Sequence, residues 1–276
     1  MRTAKSVAIP FAFGLVVATL GLAWPTPAQA DLVGYWNFDE GSGTIAADFS
    51  PNANDGTLGG AKTPTWVPGV RGTALNFDYP ANGATSFVYV PASATLGASP
   101  WSNFTIAAWV NEQDNNWSHI FVTTNDHANR EWLLQGDNGA GSMYVWSDTN
   151  GNWKRPLGWA QPDNSWHHVA VTYDGSKMES YLDGTSMNTQ NFSTTFGSFP
   201  SAGLYLGGWL ANWSTFEGAC DDMIIFNSVE DIGSIMDGTH PAMNPEPPPP
   251  SGIPEPATLT LFGLGAVGLL IRRKRS

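Results

Sequence analysis

Hydrophobic and polar residues alternate in short bursts through most of the chain. Such alternation predicts β-strands with one buried face, because successive residues of a strand point to opposite sides of a sheet. The predicted strands cover residues 32–38, 74–77, 87–90, 104–110, 119–122, 131–134, 143–146, 166–173, 178–182, 204–206 and 223–226. One short helix is predicted at 229–236, which is too little helix for a parallel α/β fold.

Asp-Gly and Asn-Gly pairs separate many of these segments. They begin at residues 55, 82, 138, 150, 174 and 183. Asn, Asp and Gly tolerate the positive backbone angles of tight hairpin turns. Many short strands joined by such turns predict an all-β protein, built as an antiparallel sandwich or barrel.

The first thirty residues have the pattern of a secretory signal peptide. Arg2 and Lys5 provide a positive start, an apolar run covers 7–22, and residues 28–30 form a small-x-small cleavage site. This combination is typical of segments that are removed during export. We therefore expect an exported protein whose mature chain begins near Asp31.

The other end of the chain has three parts in a fixed order. They are Pro254, Glu255 and Pro256, then an apolar stretch at 257–271, then a basic tail that includes Arg272 and Arg273. As a helix, the apolar stretch spans about 22 Å, which is short for a transmembrane segment. The basic tail favours the cytoplasmic side of the membrane, with everything before it outside.

This succession resembles the PEP-CTERM sorting signal of Gram-negative bacteria. The resemblance implies transient insertion into the inner membrane through a short C-terminal transmembrane helix. It also implies an exosortase as a partner, with Pro254, Glu255, Pro256, Arg272 and Arg273 as sorting residues. The processed protein is then expected at the cell surface or in the extracellular space.

Charge is distributed unevenly along the chain. Half of the 12 Lys and Arg residues lie in the two end segments, whereas 23 of the 24 Asp and Glu residues lie between them. Such an acidic domain repels nucleic acid, so nucleic-acid binding is not expected. The single cysteine, Cys220, excludes an intramolecular disulfide, and we expect it to be a small buried residue.

The order of several local patterns carries a second resemblance. They are GYWNFDEGSG at 34–43, DFSPNANDGTL at 48–58, GTALNFD at 72–78, FTIAAWV at 104–110, WHHVAVTYDG at 166–175 and FEGACDDMIIF at 216–226. Together they resemble the LamG-like domain of the concanavalin A-like lectin/glucanase superfamily. The resemblance implies a jelly-roll sandwich of two antiparallel sheets, with the first and last strands side by side.

The expected organisation of the chain follows from these patterns. A signal peptide covers 1–30 and a LamG-like domain covers 31–240. A Pro-rich linker follows at 241–252, because consecutive prolines form a stiff extended spacer. The sorting signal occupies 253–276.

Calcium is the first expected ligand. The superfamily often holds a structural Ca²⁺ between the first and last strands, and by that resemblance Asp39 and Asp221 are expected to act together. Asp48 and Asn54 offer further oxygen atoms of the kind that Ca²⁺ prefers. Their loop resembles the start of an EF-hand but lacks the glutamate at its twelfth position. The alternative is that these side chains only cap turns.

Carbohydrate is the second expected ligand. The chain contains 13 tryptophans, and flat aromatic faces stack on sugar rings while neighbouring polar side chains bind hydroxyls. The candidates fall outside clean strand periodicity: Trp117, Trp153, Trp159, Trp209 and Trp213. The alternative is that most tryptophans fill the core between the sheets.

No catalytic residues are predicted. Glucanase-type relatives carry Glu-x-Asp-x-x-Glu on one strand; here Glu112 and Asp114 are present, but Trp117 occupies the third carboxylate position. Serine-hydrolase and zinc-protease motifs are also absent from the sequence. His167 and His168 are expected to be structural and satisfied, because neighbouring strand residues point apart.

The leading hypothesis is therefore a non-catalytic surface or extracellular protein that binds glycan or a matrix polymer. A protein-protein adhesion module is the alternative, and exposed aliphatic side chains on the binding sheet would favour it. A glycoside hydrolase or lyase with an atypical site is a further alternative. It would need two carboxylates facing each other across a cleft.

Overall fold

The computed structural model describes residues 32–78, 85–96, 102–113, 119–122, 133–136, 143–147, 152–154, 164–191, 203–208 and 216–244. The predicted signal peptide, the end of the Pro-rich linker and the sorting signal lie outside the described residues. Within these ranges, no helix has the length and apolar character needed to cross a bilayer.

The described residues are mostly strands. In chain order the strands are β1 (Leu32–Trp36), β2 (Ile45–Ala46), β3 (Gly56–Gly60), β4 (Thr65–Pro68), β5 (Thr73–Phe77), β6 (Ser86–Val90), β7 (Phe104–Glu112), β8 (His119–Val122), β9 (Leu133–Gly136), β10 (Met143–Ser147), β11 (Asn152–Lys154), β12 (Trp166–Tyr173), β13 (Lys177–Leu182), β14 (Thr185–Asn191), β15 (Leu204–Leu206) and β16 (Gly218–Phe226). A short helix, α1 (Ile232–Met236), follows the last strand.

The strands form two antiparallel sheets that pack face to face, as the predicted jelly-roll sandwich requires. The first sheet has the order β14-β13-β12-β7-β16-β5-β4, with β1 also paired to β16. The second sheet has the order β11-β10-β9-β8-β15-β6-β3-β2. The pairing of β1 with β16 confirms that the first and last strands lie side by side.

The main core lies between the two sheets. Its largest fully buried side chains include Trp36, Phe77, Phe104 and Phe121, which come from both sheets. Cys220 is buried in the same core, as expected, and burial raises the pKa of its thiol. Alternating strand residues supply this core because every second side chain points inward.

A smaller apolar cluster covers part of the outer face of the first sheet. Ala107, Ala170 and Ile224 of the sheet pack there against Ile232 and Ile235 of α1. The helix begins after a side-chain cap, since Asp231 accepts a hydrogen bond from the Ser234 backbone N–H at 2.9 Å. Helix α1 therefore covers part of the outer face of the first sheet.

Each predicted strand corresponds to an observed strand, and the predicted helix begins three residues later, at Ile232. Strand β16 begins at Gly218, earlier than predicted, because a bulge between Asp221 and Ile224 interrupts the alternation. Five strands were not predicted: β2, β3, β4, β11 and β14. The residues of β14 are nearly all exposed, so its sequence lacks the alternation of apolar and polar residues that predicts a strand.

Candidate functional site

Three aromatic side chains lie on the outer face of the second sheet. In β6, Val88 and Val90 point into the core, so Phe87 and Tyr89 lie on the opposite face. In β15 the same alternation places Tyr205 outward between two core leucines. We call Phe87, Tyr89 and Tyr205 the aromatic face.

The rings of the aromatic face pack against one another. The Phe87 and Tyr205 centroids lie 5.2 Å apart at an interplanar angle of 82°, which is an edge-to-face contact. Tyr89 lies opposite Tyr205 in the strand register, with ring centroids 5.0 Å apart and an angle of 41°. Such contacts fix the rings in place, because aromatic pairs prefer these geometries.

The two tyrosines of the aromatic face differ in burial. Tyr205 is only 4% exposed, whereas Tyr89 is partly exposed. Burial, followed by the nearby Tyr89, raises the pKa of Tyr205 to about 12. The Tyr205 phenol therefore remains neutral at physiological pH. Tyr205 is therefore packed beneath its neighbours, and Tyr89 is the most exposed ring of the aromatic face.

The aromatic face continues along the sheet in both directions. Towards one edge, Thr57 lies opposite Tyr89, and Ile45 lies opposite Thr57. Ile45 is 48% exposed, so this edge offers an apolar side chain to solvent. Towards the other side, strand β8 pairs with β15, with Val122 opposite Tyr205 in the backbone register. Residues directly opposite one another share a face of the sheet.

Of the predicted carbohydrate-binding tryptophans, Trp153 lies in the second sheet. It belongs to β11 and lies opposite Trp146 of β10 in the backbone register. The β10–β11 pair forms the end of the sheet that contains the aromatic face. Trp117, Trp159, Trp209 and Trp213 lie outside the described residues, as do the predicted sorting residues Pro254, Glu255, Pro256, Arg272 and Arg273.

The predicted calcium ligands Asp39 and Asp221 hold the same hairpin, which connects β4 to β5. Asp221 Oδ2 accepts hydrogen bonds from the backbone N–H groups of Val70, at 2.8 Å, and Arg71, at 3.1 Å. Asp39 Oδ1 accepts one from the Thr73 backbone N–H at 2.9 Å. The first and last strands are thus anchored to one turn.

Asp48 and Asn54 form a separate arrangement in the loop before β3. The Asp48 carboxylate accepts backbone N–H bonds from Tyr35, Ser50 and Asn54 at 2.7 to 2.8 Å, and a further bond from the Ser50 hydroxyl. The Asn54 amide donates to the Val33 carbonyl at 2.9 Å. These contacts match the turn-capping alternative for this pair.

The number of hydrogen bonds that each carboxylate already accepts decides how well it suits a bound cation. A carboxylate has about four acceptor positions, and the four hydrogen bonds to Asp48 use them within the loop, which fits a calcium ligand poorly. Asp39 is exposed and accepts one backbone bond, so its chemistry fits. Asp221 is buried and accepts three backbone N–H bonds, so it has about one acceptor position left for a cation. In the part of the chain that the structure describes, no group of three or more His, Cys, Asp or Glu side chains is arranged to hold a metal.

Asp221 lies in an unusual electrostatic position for a carboxylate. It is fully buried, and its neighbour Asp222 is 4% exposed. Burial, followed by the negative charge of Asp222, raises the pKa of Asp221 to about 7. The backbone N–H bonds from the hairpin act in the opposite direction. The protonated and ionised forms of Asp221 are therefore both populated near neutral pH.

Of the two carboxylates considered for catalysis, the structure describes only Glu112. Glu112 is buried, and in β7 it follows the alternation of the core residues, so it lies on the inner face. Asp114 lies outside the described residues. His167 Nδ1 lies 2.8 Å from Asp183 Oδ2, in agreement with a structural role. His168 is buried, but its Nδ1 atom has no partner, so the expectation that both histidines are satisfied is wrong.

Comparison with protein families gives two matches. The family described as the concanavalin A-like lectin/glucanases superfamily, a laminin G type, matches residues 82–230. The PEP-CTERM protein-sorting motif matches residues 252–275. No curated protein matches the chain.

Comparison with solved structures supports the same fold. Domain 4 of AbnA, an extracellular GH43 arabinanase from Geobacillus stearothermophilus in complex with arabinotriose, is 20% identical. Its TM-score is 0.60, and the match covers 75% of this chain and 98% of that domain. At this identity the likeness shows the fold alone.

Two toxin binding domains are also similar. That of Paraclostridial Mosquitocidal Protein 1 is 15% identical, with a TM-score of 0.57 and coverage of 75% of this chain and 51% of that one. The binding domain of botulinum neurotoxin serotype D is 14% identical, with a TM-score of 0.53 and coverage of 76% and 52%. The chain therefore spans about half the length of these toxin domains.

Proposed function

The chain belongs to the concanavalin A-like lectin/glucanase superfamily, and from that premise we propose that it is a non-catalytic protein that binds an extracellular glycan through its aromatic face. The sorting motif at 252–275 indicates export and delivery to the cell surface or the extracellular space by an exosortase.

The observation that carries the proposal is the packed pair of Tyr89 and Tyr205. Their ring centroids lie 5.0 Å apart on the outer face of a sheet, and Tyr89 is the more exposed of the two. An aromatic ring held in this way offers a flat apolar surface for a sugar ring. A neutral phenol both donates and accepts hydrogen bonds, as sugar hydroxyls require.

One of the similar structures supports this ligand class. The AbnA domain was solved with arabinotriose, which is a carbohydrate. The backbone register further places Trp153 opposite Trp146 at the end of the same sheet. We infer that a polysaccharide chain extends from Tyr89 along the sheet towards β11.

A non-catalytic role is supported by the positions of the carboxylates. Glycoside hydrolysis uses two carboxyl groups that flank one glycosidic bond. Glu112 is buried on the inner face of β7, away from solvent, and position 117 carries tryptophan. This arrangement is unsuited to acid and base catalysis at the aromatic face.

Protein binding is the second candidate function, and one observation favours it. Ile45 lies in line with Thr57 and Tyr89 at the edge of the second sheet and is 48% exposed. An exposed aliphatic side chain beside an aromatic one also suits a protein surface. The two proposals predict different binding residues. Glycan binding depends on Tyr89, and protein binding depends on Ile45.

The test is polysaccharide binding by the intact exported chain, measured by affinity electrophoresis and calorimetry with and without calcium. We expect Tyr89→Ala to weaken binding about tenfold, which corresponds to about 1.4 kcal/mol. Phe49→Ala is the matched control, because Phe49 is an aromatic residue 51% exposed that contacts Tyr35 in the first sheet. It should leave glycan binding unchanged.

Two results would reject the glycan proposal. One is the absence of binding to every polysaccharide from a producing bacterium, with and without calcium. The other is equal affinity of Tyr89→Ala and the unsubstituted chain. Loss of binding to a surface protein in Ile45→Ser, with Tyr89→Ala unaffected, would support the adhesion alternative instead.

A further inference from the structure

Three polar atoms without hydrogen-bond partners belong to neighbouring residues on the outer face of the first sheet. They are Trp109 Nε1, Asn111 Oδ1 and His168 Nδ1, and all three are shielded from solvent. Trp109 lies directly opposite His168 in the register of β7 and β12, and Asn111 is two residues further along β7. Buried polar groups are normally hydrogen-bonded, so a cluster of three needs an explanation.

The orientations of these side chains are fixed by other contacts. The Trp109 and His168 rings meet edge to face, with centroids 5.4 Å apart and an interplanar angle of 64°. The Asn111 amide nitrogen donates to the Asn164 carbonyl at 3.3 Å, which assigns Oδ1 as the atom without a partner. The backbone N–H of His168 donates to Asp183 Oδ1 at 2.9 Å.

The three side chains of the cluster are uncharged, and the carboxylate of Asp221, opposite Trp109 in the strand register, is engaged by the Val70 and Arg71 backbone N–H groups. His168 is 1% exposed, and burial, followed by the positive charge of Arg71, lowers the pKa of His168 to about 4. Its imidazole is therefore uncharged at physiological pH. Trp109 and Asn111 carry no charge. An ionic ligand would gain no opposite charge from these three side chains.

The three atoms also have mixed hydrogen-bonding roles. The indole N–H of Trp109 only donates, the amide oxygen of Asn111 only accepts, and a neutral imidazole nitrogen does one or the other. An anion would match only donors, and a cation would match only acceptors. A hydroxyl group matches both, because it carries one donor hydrogen and two acceptor lone pairs.

We propose that Trp109, Asn111 and His168 form a binding site for a neutral ligand that presents hydroxyl groups, of the class of a polyol or a single sugar unit. The site lies on the first sheet, whereas the aromatic face lies on the second sheet. It is therefore separate from the proposed glycan surface and does not depend on it. The protein then has one hydroxyl-binding site on each side of the sandwich.

The experiment observes the Trp109 indole N–H directly in the ¹⁵N-labelled protein. The signal lost in Trp109→Phe assigns this group among the tryptophan indoles. The probes are glycerol, myo-inositol and methyl glucoside, each titrated separately. We expect at least one of them to shift the Trp109 signal saturably, and Asn111→Ala to weaken that binding at least about fivefold.

Tyr89→Ala is the matched control, because it alters only the aromatic face. It should retain the saturable shift at Trp109 while binding polysaccharide about tenfold more weakly, which separates this site from the proposed function. Trp109→Phe keeps an aromatic ring but removes the N–H donor together with the pyrrole part of the indole. Asn111→Ser is a second variant in case Asn111→Ala lowers stability, and unfolding curves identify the variants that remain folded.

Two results would overturn the proposal. One is a Trp109 signal that none of the three probes shifts saturably. The other is a crystal structure, grown with the best probe, in which ordered water alone contacts Trp109 Nε1, Asn111 Oδ1 and His168 Nδ1. The second result would show that internal water, rather than a ligand, satisfies the three atoms.

Discussion

The hydroxyl of Tyr35 donates a 2.6 Å hydrogen bond to Asp222 Oδ1, which joins the first strand of the domain to the last. The second oxygen of Asp222 accepts from Arg71 Nε at 2.7 Å, and Arg71 Nη1 donates to the Met236 carbonyl of α1 at 3.0 Å. One carboxylate therefore connects β1, β16 and the β4–β5 hairpin, and Arg71 extends the connection to the helix. Burial raises the pKa of Tyr35, so its hydroxyl stays protonated.

We predict that Tyr35→Phe lowers the free energy of unfolding by about 2 kcal/mol, because hydrogen bonds to charged groups contribute about 1.5–3 kcal/mol. Urea denaturation of both proteins measures the difference. Asp222→Asn should cost more than Tyr35→Phe, since it leaves the Arg71 guanidinium without its carboxylate. In the double variant the two effects should not add. Simple additivity would show that the 2.6 Å contact contributes little.

The second prediction concerns the β4–β5 hairpin, whose backbone donates hydrogen bonds to Asp39 and Asp221. Gly72 has a φ of 61°, and a Cβ atom there would overlap the Asp39 carboxylate. Gly41 has a similar φ of 64°, but its Cβ would meet only Thr73 at an ordinary contact distance of 3.6 Å. We expect Gly41→Ala to cost about 1–2 kcal/mol for the left-handed backbone. Gly72→Ala should cost clearly more.

Thermal and urea unfolding of both alanine variants measure this difference. The Gly41 variant controls for backbone strain, because only the steric contact differs between the two sites. Equal destabilisation would mean that Asp39 moves freely away from the hairpin. In that case its bond to the Thr73 N–H would have no role in holding the turn.

The sequence predicted the sandwich well because residues that point into the core alternate with residues that point outward along its buried strands. In β12, Val169, Val171 and Tyr173 occupy the core while Ala170 lies outward, as the alternation requires. Strand β3 escaped prediction because its sequence GTLGG has a single large apolar side chain. Strand β14 escaped because neither of its faces is buried.

The candidate sites were less visible in the sequence, since cross-strand pairing brings distant residues together. Tyr89 and Tyr205 each lie between apolar residues in short strands, so neither stood out as a surface residue. Only the antiparallel pairing of β6 with β15 places them side by side. The alternation of β12 accounts for the place of His168 on the outer face, but the absence of a partner for its Nδ1 depends on three-dimensional packing.

The third prediction concerns calcium, with Asp39 and Asp221 as ligands. If Ca²⁺ binds the folded protein, it raises the free energy of unfolding, by about 2.7 kcal/mol at a hundred times its dissociation constant. We expect the melting temperature to rise on addition of calcium chloride and to fall again with a chelator. Asp39→Asn should remove this rise, because it replaces an exposed carboxylate with a neutral amide.

Asp48→Asn is the control for the calcium experiment. It should lower the melting temperature without calcium, because Asp48 accepts four bonds within its loop, yet preserve the calcium-dependent rise. Magnesium should have a smaller effect, since it prefers strict octahedral geometry. A melting temperature unaffected by calcium, or a rise that survives Asp39→Asn, would contradict these ligands.

The fourth prediction concerns the dependence of stability on pH through His168. Burial, and then the charge of Arg71, lowers the pKa of His168 from 6.5 to about 4, so the folded state favours the neutral imidazole. Its contribution is therefore present above pH 6.5 and is lost as the pH falls towards 4, by about 3 kcal/mol in total. The glutamine in His168→Gln cannot titrate, so this variant does not lose that contribution on acidification. As the pH falls, the unfolding free energy of the unsubstituted protein should therefore decrease more than that of the variant. Urea denaturation across this pH interval measures that difference, and His168→Asn provides a second neutral replacement. Parallel pH profiles for all three proteins would show that His168 takes up its proton without cost to the fold.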